Sequence, residues 1–180
     1  MSMGSERCEM SEKSEILIKE LLRDQFGPFL PLMAEVECGS HFDVDNPHHH
    51  AWLDRRIETY YLRGTHFFAS YLDDGTSTGL AAVLIEEGPE GVTCMGQTAE
   101  LLDIAVYQAF RGQGTGTALL LHVEGYVRAC GKYCLYVATY ARNYKAIAFY
   151  GRNGYVPVAT LPDVHGAGDE GNVYLRRILQ

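Results

Sequence analysis

Apolar side chains recur at two different spacings along this chain, and each spacing predicts a different element. Residues 15–21 alternate between apolar and polar positions, as a strand does. Residues 24–37 place apolar side chains near helical spacing and predict a helix, although Pro28 and Pro31 leave open where it begins. The pattern therefore predicts a strand followed by a helix.

A second helix is predicted by the residues at its ends. Asn46 is a capping residue directly before Pro47, and proline suits the first position of a helix. We expect this helix to span residues 48–62 and to stop at Gly64, with residues 38–44 as the loop that precedes it.

From residue 65 onward, strand patterns dominate. Residues 65–72 and 79–86 flank a turn at 73–75 and predict a hairpin. A loop over residues 88–96 leads to the apolar segment 99–106, which predicts a central strand. The remaining predicted elements are a helix over 112–129, a strand over 133–140, a short helix over 143–152, and closing strands over 155–161 and 172–179.

This order of elements predicts one α/β domain built on a mixed sheet. Strand-helix-strand connections require parallel neighbours, whereas hairpins are antiparallel, and the helices then cover both faces. A chain of 180 residues can bury one substantial core. We assign residues 15–180 to this domain and expect residues 1–14 to be a disordered tail.

Composition narrows the possible partners. The formal net charge is −8 and Lys and Arg form no stripe that would neutralise phosphates, so we expect no nucleic-acid partner. The chain contains no apolar run of about 18 residues and no secretory signal pattern, so we expect no membrane association. Five scattered cysteines lack zinc-binding spacing. These features predict a soluble cytoplasmic protein without a metal.

The strongest chemical signal lies where the predicted central strand leads into a helix. Gly112, Gly114 and Gly116 alternate within the sequence RGQGTGT, residues 111–117. Alternating glycines let successive backbone N–H groups converge, and a helix N-terminus adds unpaired donors and the positive end of its dipole. The turn therefore predicts a binding site for an anion such as a pyrophosphate. Side chains that would assist are Arg111, Thr115 and Thr117.

Other interpretations of these glycines differ in what they require. A glycine-rich turn can simply join a strand to a helix, and this structural role stays open. A dinucleotide-binding motif would need glycine where the chain has Thr117. A P-loop would need Gly-Lys followed by Ser or Thr, which is absent. Neither nucleotide-binding motif fits.

Two motifs make the chain resemble the GNAT superfamily of N-acetyltransferases. One is the family signature Arg/Gln-x-x-Gly-x-Gly/Ala after a strand, here residues 111–116. The other is NYKAIAFYGRNGY, residues 143–155, which is similar to Asn-x-x-Ala-x-x-x-Tyr-x-x-x-Gly-Phe with Tyr155 in place of Phe. The predicted element order also matches, so the resemblance runs from residue 15 to the C-terminus and is tightest over residues 100–155.

The resemblance implies the GNAT (acyl-CoA N-acyltransferase) fold and acetyl-CoA as the cofactor. In this fold, two central parallel strands of a mixed, mostly antiparallel sheet splay apart, often beside a bulge in the first strand. The pantetheine arm would bind the backbone of that first strand, and the pyrophosphate would bind the glycine turn. The implied cofactor-binding residues are Ile104, Ala105, Val106, Arg111, Gly112, Gln113, Gly114, Thr115, Gly116, Thr117, Asn143 and Tyr150.

The resemblance also implies direct acetyl transfer to an amine within a ternary complex. Tyr150 matches the family tyrosine that protonates the departing thiolate, with a core aromatic as the alternative role. Glu100, which opens the central strand, is our candidate for the base, and we expect its side chain to share a face with Ile104 and Val106. Asp103, expected on the opposite face, is a competing candidate.

The acceptor site of this family is lined by the first two helices, the hairpin and the last strands. Trp52 and His49, near the start of the second predicted helix, are therefore the expected substrate contacts. Three consecutive histidines, 48–50, point in different directions on a helix, which argues against a metal site. The acidic loop over residues 163–171 would attract a cationic acceptor or serve only as a solvated connection.

The sequence thus predicts an N-acetyltransferase that acts on a primary amine, with a small molecule as the expected acceptor and a protein N-terminus as the alternative. A homodimer is expected from the family alone. A rival function is a CoA-binding sensor that has lost catalysis, which would keep the glycines but tolerate loss of Tyr150. An interaction domain without a CoA site is the third possibility.

Overall fold

The structure, a computed structural model, describes residues 16–38, 42–86 and 97–179. The predicted tail over residues 1–14 and the predicted loop over residues 88–96 lie outside these residues. The described elements, in chain order, are β1 (Leu17–Glu20), α1 (Leu30–Cys38), α2 (Pro47–Leu62), β2 (Thr65–Tyr71), β3 (Ser77–Ile85), β4 (Thr98–Val106), α3 (Thr115–Ala129), β5 (Cys134–Tyr140), α4 (Tyr144–Arg152), β6 (Val156–Leu161) and β7 (Asn172–Ile178).

The strands form one mixed sheet in the order β1-β2-β3-β4-β5-β7-β6. Of the strand pairs that the structure describes, β4 and β5 run parallel and the others run antiparallel. The parallel pair is joined through α3, as a crossover connection requires. The prediction of a mixed, mostly antiparallel sheet is confirmed.

Helices cover both faces of the sheet, which explains the nearly continuous apolar runs of β2 and β3. On one face, α3 and α4 pack over a core that includes Leu101, Leu119, Val123, Val137 and Leu175. On the other, α1 and α2 pack over a core that includes Phe26, Phe29, Leu53, Ile57 and Phe67. Burial of apolar surface in these two layers supplies most of the driving force for folding.

The first helix begins later than its apolar spacing predicted. Residues 23–25 and 27–29 form two separate 3-10 turns, and α1 starts at Leu30. An α-helix that ran from residue 24 would need an N–H at position 28, and Pro28 has none. Pro31 is tolerated because it lies in the first turn of α1, where N–H groups need no partner within the helix.

The next two helices differ in how well their starts were predicted. Helix α2 starts at Pro47, one residue from the predicted start, and the Asn46 side chain accepts a hydrogen bond from the His48 N–H at 2.9 Å. Helix α3 starts three residues later than predicted, at Thr115. Gly112 and Gly114 have φ of +77° and +93°, so their backbone is left-handed and cannot belong to an α-helix.

The parallel strands β4 and β5 separate before either of them ends. Their pairing stops at Leu101 and Val137, whereas β4 continues to Val106 and β5 to Tyr140. A bulge in β4 accompanies the separation: Val83 of β3 pairs with Leu101 while Ala82 pairs with Asp103, which leaves the intervening residue unpaired. The splay and the bulge implied by the family resemblance are both present.

A buried carboxylate ties α3 to the far side of the sheet. Glu124 of α3 is completely buried, and its Oε1 accepts hydrogen bonds from Arg177 at 3.1 Å and from the Tyr155 hydroxyl at 3.2 Å. Arg128, one turn further along α3, lies 3.6 Å from its other oxygen. These contacts fix α3, and with it the glycine turn, against β7 and the residue that precedes β6.

Replacing this carboxylate is predicted to destabilise the fold. Glu124→Ala would leave the Arg177 guanidinium and the Tyr155 hydroxyl without their buried acceptor, so we expect a loss of about 3 kcal/mol in the free energy of unfolding, measured in urea. The control is Glu170→Gln, because Glu170 pairs with Arg142 on the surface and its loss is expected to have little effect. Equal effects of the two substitutions would contradict the prediction.

Candidate active site

The glycine turn presents backbone donors at the start of α3. Gly114 is the N-cap and no side chain caps the helix. The first helical hydrogen bond runs from the Ala118 N–H to the Gly114 carbonyl at 2.9 Å, and the N–H groups of Thr115, Gly116 and Thr117 have no backbone acceptor among the described residues. Three free amides and the positive end of the helix dipole therefore lie directly beyond the end of β4.

Gly116 also brings α4 against this turn. A Cβ atom at this position would lie 3.5 Å from the Phe149 ring and 3.7 Å from Cγ2 of Val106. Phe149 therefore lies beside the three free amides, a position that sequence reasoning missed. The available signal was its place next to Tyr150 in the second motif.

Two of the side chains predicted to contact a cofactor form hydrogen bonds within the protein. Arg111 donates from Nε to the Val106 carbonyl at 2.8 Å and from Nη2 to Glu35 of α1 at 2.6 Å. Gln113 donates from Nε2 to the Ala109 carbonyl at 2.8 Å. These hydrogen bonds hold the turn in place. The backbone N–H groups of residues 115–117 remain as the donors that a ligand can use.

The backbone N–H and C=O groups of the last β4 residues point alternately toward β3 and toward the opening beside β5. A Cβ at Gly79 of β3 would lie 2.7 Å from the Ala105 carbonyl oxygen, and the Tyr107 N–H donates to the Thr78 carbonyl at 3.0 Å. Ala105 therefore directs its carbonyl at β3. Because successive residues of a strand point their polar groups to opposite edges, Ile104 and Val106 direct theirs at the opening beside β5.

The second motif places Asn143 and Tyr150 at the two ends of one helix. Asn143 is the N-cap of α4, and its side chain accepts a hydrogen bond from the Ala146 N–H at 3.1 Å. The Tyr150 ring is buried, with its centroid 5.6 Å from that of Tyr155, yet its hydroxyl bonds to no described residue. Burial raises the pKa of Tyr150, and the charge of Asp103 raises it further, so the phenol keeps its proton at neutral pH.

Glu100 lies on a different face of β4 from the one predicted. It pairs with Leu84 and Tyr136, whereas Ile104 pairs with Ala81 in the core beneath α3. The bulge inserts one residue between Glu100 and Ile104 and so reverses the alternation of side chains. The expectation that Glu100 shares a face with Ile104 and Val106 is therefore wrong.

Asp103 was expected on the opposite face of β4 from Glu100, but the two side chains lie on the same face. Glu100 keeps its place in the paired part of β4, and burial followed by repulsion from Glu86 raises its pKa, with Arg63 opposing. Asp103 lies beyond the last β4–β5 pair, at the opening. Both carboxyls thus face the α1 and α2 side of the sheet.

The Asp103 carboxyl is the more strongly perturbed of the two. Its Oδ2 atom is buried and has no hydrogen-bond partner. Burial, followed by the charge of Glu37, raises the pKa of Asp103 to about 7, while the charge of Arg56 and hydrogen bonding to the Tyr60 side chain act in the opposite direction. A carboxyl that titrates near neutral pH is suited to taking up a proton.

The two predicted substrate contacts lie in different settings. Trp52, on α2, is 41% exposed. His49 accepts at Nδ1 from the Asp43 N–H at 2.9 Å, and its ring lies 5.8 Å from that of Phe42, so it helps to hold the loop before α2. Whether either residue contacts a substrate stays a prediction.

The acidic loop between β6 and β7 is closed by its own contacts. Asp163 accepts at Oδ1 from the Gly168 N–H at 2.6 Å, Glu170 pairs with Arg142 at 2.8 Å, and the His165 ring lies 4.8 Å from that of Tyr140. Two of its carboxylates, Asp163 and Glu170, therefore already have a hydrogen-bond or ion-pair partner.

Across the described residues, no group of three or more His, Cys, Asp or Glu side chains is arranged to hold a metal. No helix among them has the length and apolar character needed to cross a bilayer.

Comparison with known proteins identifies the family. The sequence profile described as "Acetyltransferase (GNAT) family" matches residues 18–155, most of the chain. The chain belongs to the GNAT acetyltransferase family. The match spans the glycine turn, the splayed strands and the whole of the second motif. No curated protein matches this GNAT chain at a significant level.

Solved structures share the fold. A protein from Desulfovibrio desulfuricans, assigned to the GNAT family as an acetyltransferase, is 24% identical with a TM-score of 0.69, over 92% of this chain and 100% of that one. The yncA protein of Salmonella typhimurium, solved with acetyl-CoA, is 21% identical with a TM-score of 0.67, over 93% and 95%. The paia N-acetyltransferase of Thermoplasma acidophilum, solved with coenzyme A, is 16% identical with a TM-score of 0.67, over 91% and 99%. At these identities the likeness establishes the fold.

Proposed function

We propose that this GNAT protein transfers an acetyl group from acetyl-CoA to a primary amine of a small molecule, by direct attack within a ternary complex. The observation that carries the proposal is the opening between β4 and β5, which has free amides at one end and Asp103 beside it. Two solved structures with the same fold contain acetyl-CoA or coenzyme A, which supports the choice of cofactor.

The residues present fit the parts of such a cofactor. The amides of residues 115–117 offer a pyrophosphate three donors on a helix N-terminus. The backbone groups of Ile104 and the N–H of Val106, whose carbonyl already accepts a hydrogen bond from Arg111, offer a pantetheine arm the edge of a strand, as a neighbouring strand would meet it. Bound acetyl-CoA would supply the activated thioester.

Asp103 and Tyr150 can carry the two protons that the transfer must move. An amine such as a lysine side chain is protonated at neutral pH and must lose that proton before its nitrogen can attack the acetyl carbon. Asp103, with its raised pKa, would accept this proton. As the carbon–sulfur bond breaks, the Tyr150 hydroxyl would donate its proton to the thiolate, and the nitrogen would return a proton to the phenolate as it loses its second proton and becomes an amide.

The surroundings of Asp103 and Tyr150 favour a catalytic function over that of a CoA-binding sensor. The buried Asp103 Oδ2 atom has no hydrogen-bond partner among the described residues, which costs stability, and the Tyr150 hydroxyl bonds to none of these residues. Mere cofactor binding requires neither feature. The cytoplasmic location expected from the composition and the homodimer expected from the resemblance stay predictions.

The cofactor site can be tested at the glycine turn. Gly114→Asp would place a carboxylate at the donors that we assign to the pyrophosphate, so we expect acetyl-CoA binding, measured by calorimetry, to be lost. The control is Gly131→Asp at the other end of α3, because Gly131 has φ +74° and open space, as Gly114 does with φ +93°. Both variants strain the backbone, and acetyl-CoA binding that survives only in the control supports the site. Binding that survives in both would refute it.

The proton donor can be tested by removing one hydroxyl. Tyr150→Phe should lower kcat about 10²-fold or more and leave acetyl-CoA affinity unchanged, as expected for a general acid. The control is Tyr155→Phe in the same core, whose hydroxyl bonds to Glu124, and we expect it to cost about 1 kcal/mol of stability without affecting kcat. An unchanged kcat in Tyr150→Phe would remove this residue from the mechanism.

The base can be tested by comparing the two carboxyls on β4. Asp103→Asn should lower kcat about 10²-fold or more and abolish the rise of kcat/KM with pH near 7, whereas Glu100→Gln should leave both largely intact. The opposite result, with Glu100→Gln inactive and Asp103→Asn active, would assign the base to Glu100.

A further inference from the structure

Three side chains on the helices opposite Asp103 form a closed cluster. Arg56 of α2 donates from Nε to both carboxylate oxygens of Glu37, each at 3.1 Å, and from Nη2 to the Tyr60 hydroxyl at 3.0 Å. The Tyr60 hydroxyl in turn donates to Glu37 Oε1. The guanidinium carbon lies 4.6 Å from the centre of the Tyr60 ring, so each member holds the other two in place.

Two members of this cluster are well shielded from water. The Glu37 side chain is 10% exposed and Tyr60 is 5% exposed, whereas Arg56 reaches solvent along one side. A carboxylate this deep requires a partner, and Glu37 obtains the guanidinium and the phenol together. The cluster joins the end of α1 to the middle of α2, on the face of the sheet that Asp103 occupies.

Asp103 lies near this cluster but receives no cation from it. Among the described residues Asp103 has no ion-pair partner, although Arg56 is near enough to act on its charge. The charged and titratable groups that act on Asp103 are Glu37 from α1, and Arg56 and Tyr60 from α2. From α4, Tyr150 feels the charge of Asp103 in turn.

We propose that Glu37 is a positioning residue that binds Arg56 and so keeps this guanidinium from forming an ion pair with Asp103. The inference rests on the proposed role of Asp103 as the base. An Asp103–Arg56 ion pair would make the carboxylate a poor proton acceptor, since the cation would stabilise its charged form. Glu37 thereby adjusts the proton acceptor without touching the substrate.

The two partners should then act on Asp103 in opposite directions. Glu37→Gln removes a negative charge and releases Arg56, and both changes favour ionised Asp103 and lower its pKa. Arg56→Gln removes a positive charge and leaves Glu37 unneutralised, which favours protonated Asp103 and raises its pKa. A merely structural role would weaken the fold in both variants without giving shifts of opposite sign.

The direct test is a titration of Asp103 by NMR in protein labelled with carbon-13 at the aspartate carboxyl, with Asp103→Asn to assign the signal. We expect the pKa to fall by about one unit in Glu37→Gln and to rise by a similar amount in Arg56→Gln. Glu58→Gln is the control, because Glu58 lies on α2 in an exposed pair with Arg23 and should cause no shift. Urea unfolding of each variant verifies that it is folded.

The pH profile of kcat/KM, measured on the same variants, separates this inference from the assignment of the base. If Asp103 is the base, the rise in activity with pH should move to lower pH in Glu37→Gln and to higher pH in Arg56→Gln. Opposite NMR shifts with an unmoved pH profile would support the role of Glu37 and overturn the assignment of the base. Absent shifts, or shifts of the same sign, would overturn the inference itself.

Discussion

The candidate active site depends on one irregularity, the extra residue in β4 between Leu101 and Asp103. A bulge leaves that residue unpaired, bends the strand and increases its local twist. The bend takes β4 away from β5, so the polar backbone of Ile104 and Val106 loses the neighbour that a continuous sheet would provide. Backbone N–H and C=O groups in such a gap require a hydrogen-bonding partner, and a ligand that resembles a strand can supply one.

The same extra residue decides on which face of the sheet the β4 side chains lie. Before the bulge, odd-numbered residues such as Leu101 face the core beneath α3, and after it even-numbered residues such as Ile104 do. Asp103 is thereby turned toward α1 and α2, onto the same face as Glu100. Without the bulge, Asp103 would point into an apolar core where a carboxyl has no partner.

The sequence predicted the elements well because their signals are local. Strand patterns on either side of a turn marked β2 and β3, the Asn46 cap marked α2, and two motifs marked the cofactor side of the domain. The bulge has no such signal, since Leu102 resembles any other apolar strand residue. Counting alternate residues through it therefore placed Glu100 and Asp103 on opposite faces, and only the register with β3 corrects this.

The contacts of the site residues could not be predicted for a related reason. The pairing of Arg111 with Glu35, and of Arg56 with Glu37, joins residues that are far apart in sequence and meet only when α1 packs on the sheet. Position in a motif suggested that Arg111 would bind a phosphate, but a motif does not report which charges its neighbours contribute. Both arginines prove to be held by glutamates from α1.

The splay also explains how the proposed proton acceptor and the proposed proton donor can share one site without neutralising each other. Asp103 reaches the opening from the face covered by α1 and α2, whereas Tyr150 belongs to the core on the α3 and α4 face. The charge of Asp103 raises the pKa of Tyr150, so the phenol is less readily deprotonated when the carboxyl is ionised. Near neutral pH, the state with an ionised Asp103 and a protonated Tyr150 is therefore accessible. This is the state that the proposed transfer requires, because the substrate ammonium group must lose a proton before its nitrogen attacks and the departing thiolate must gain one.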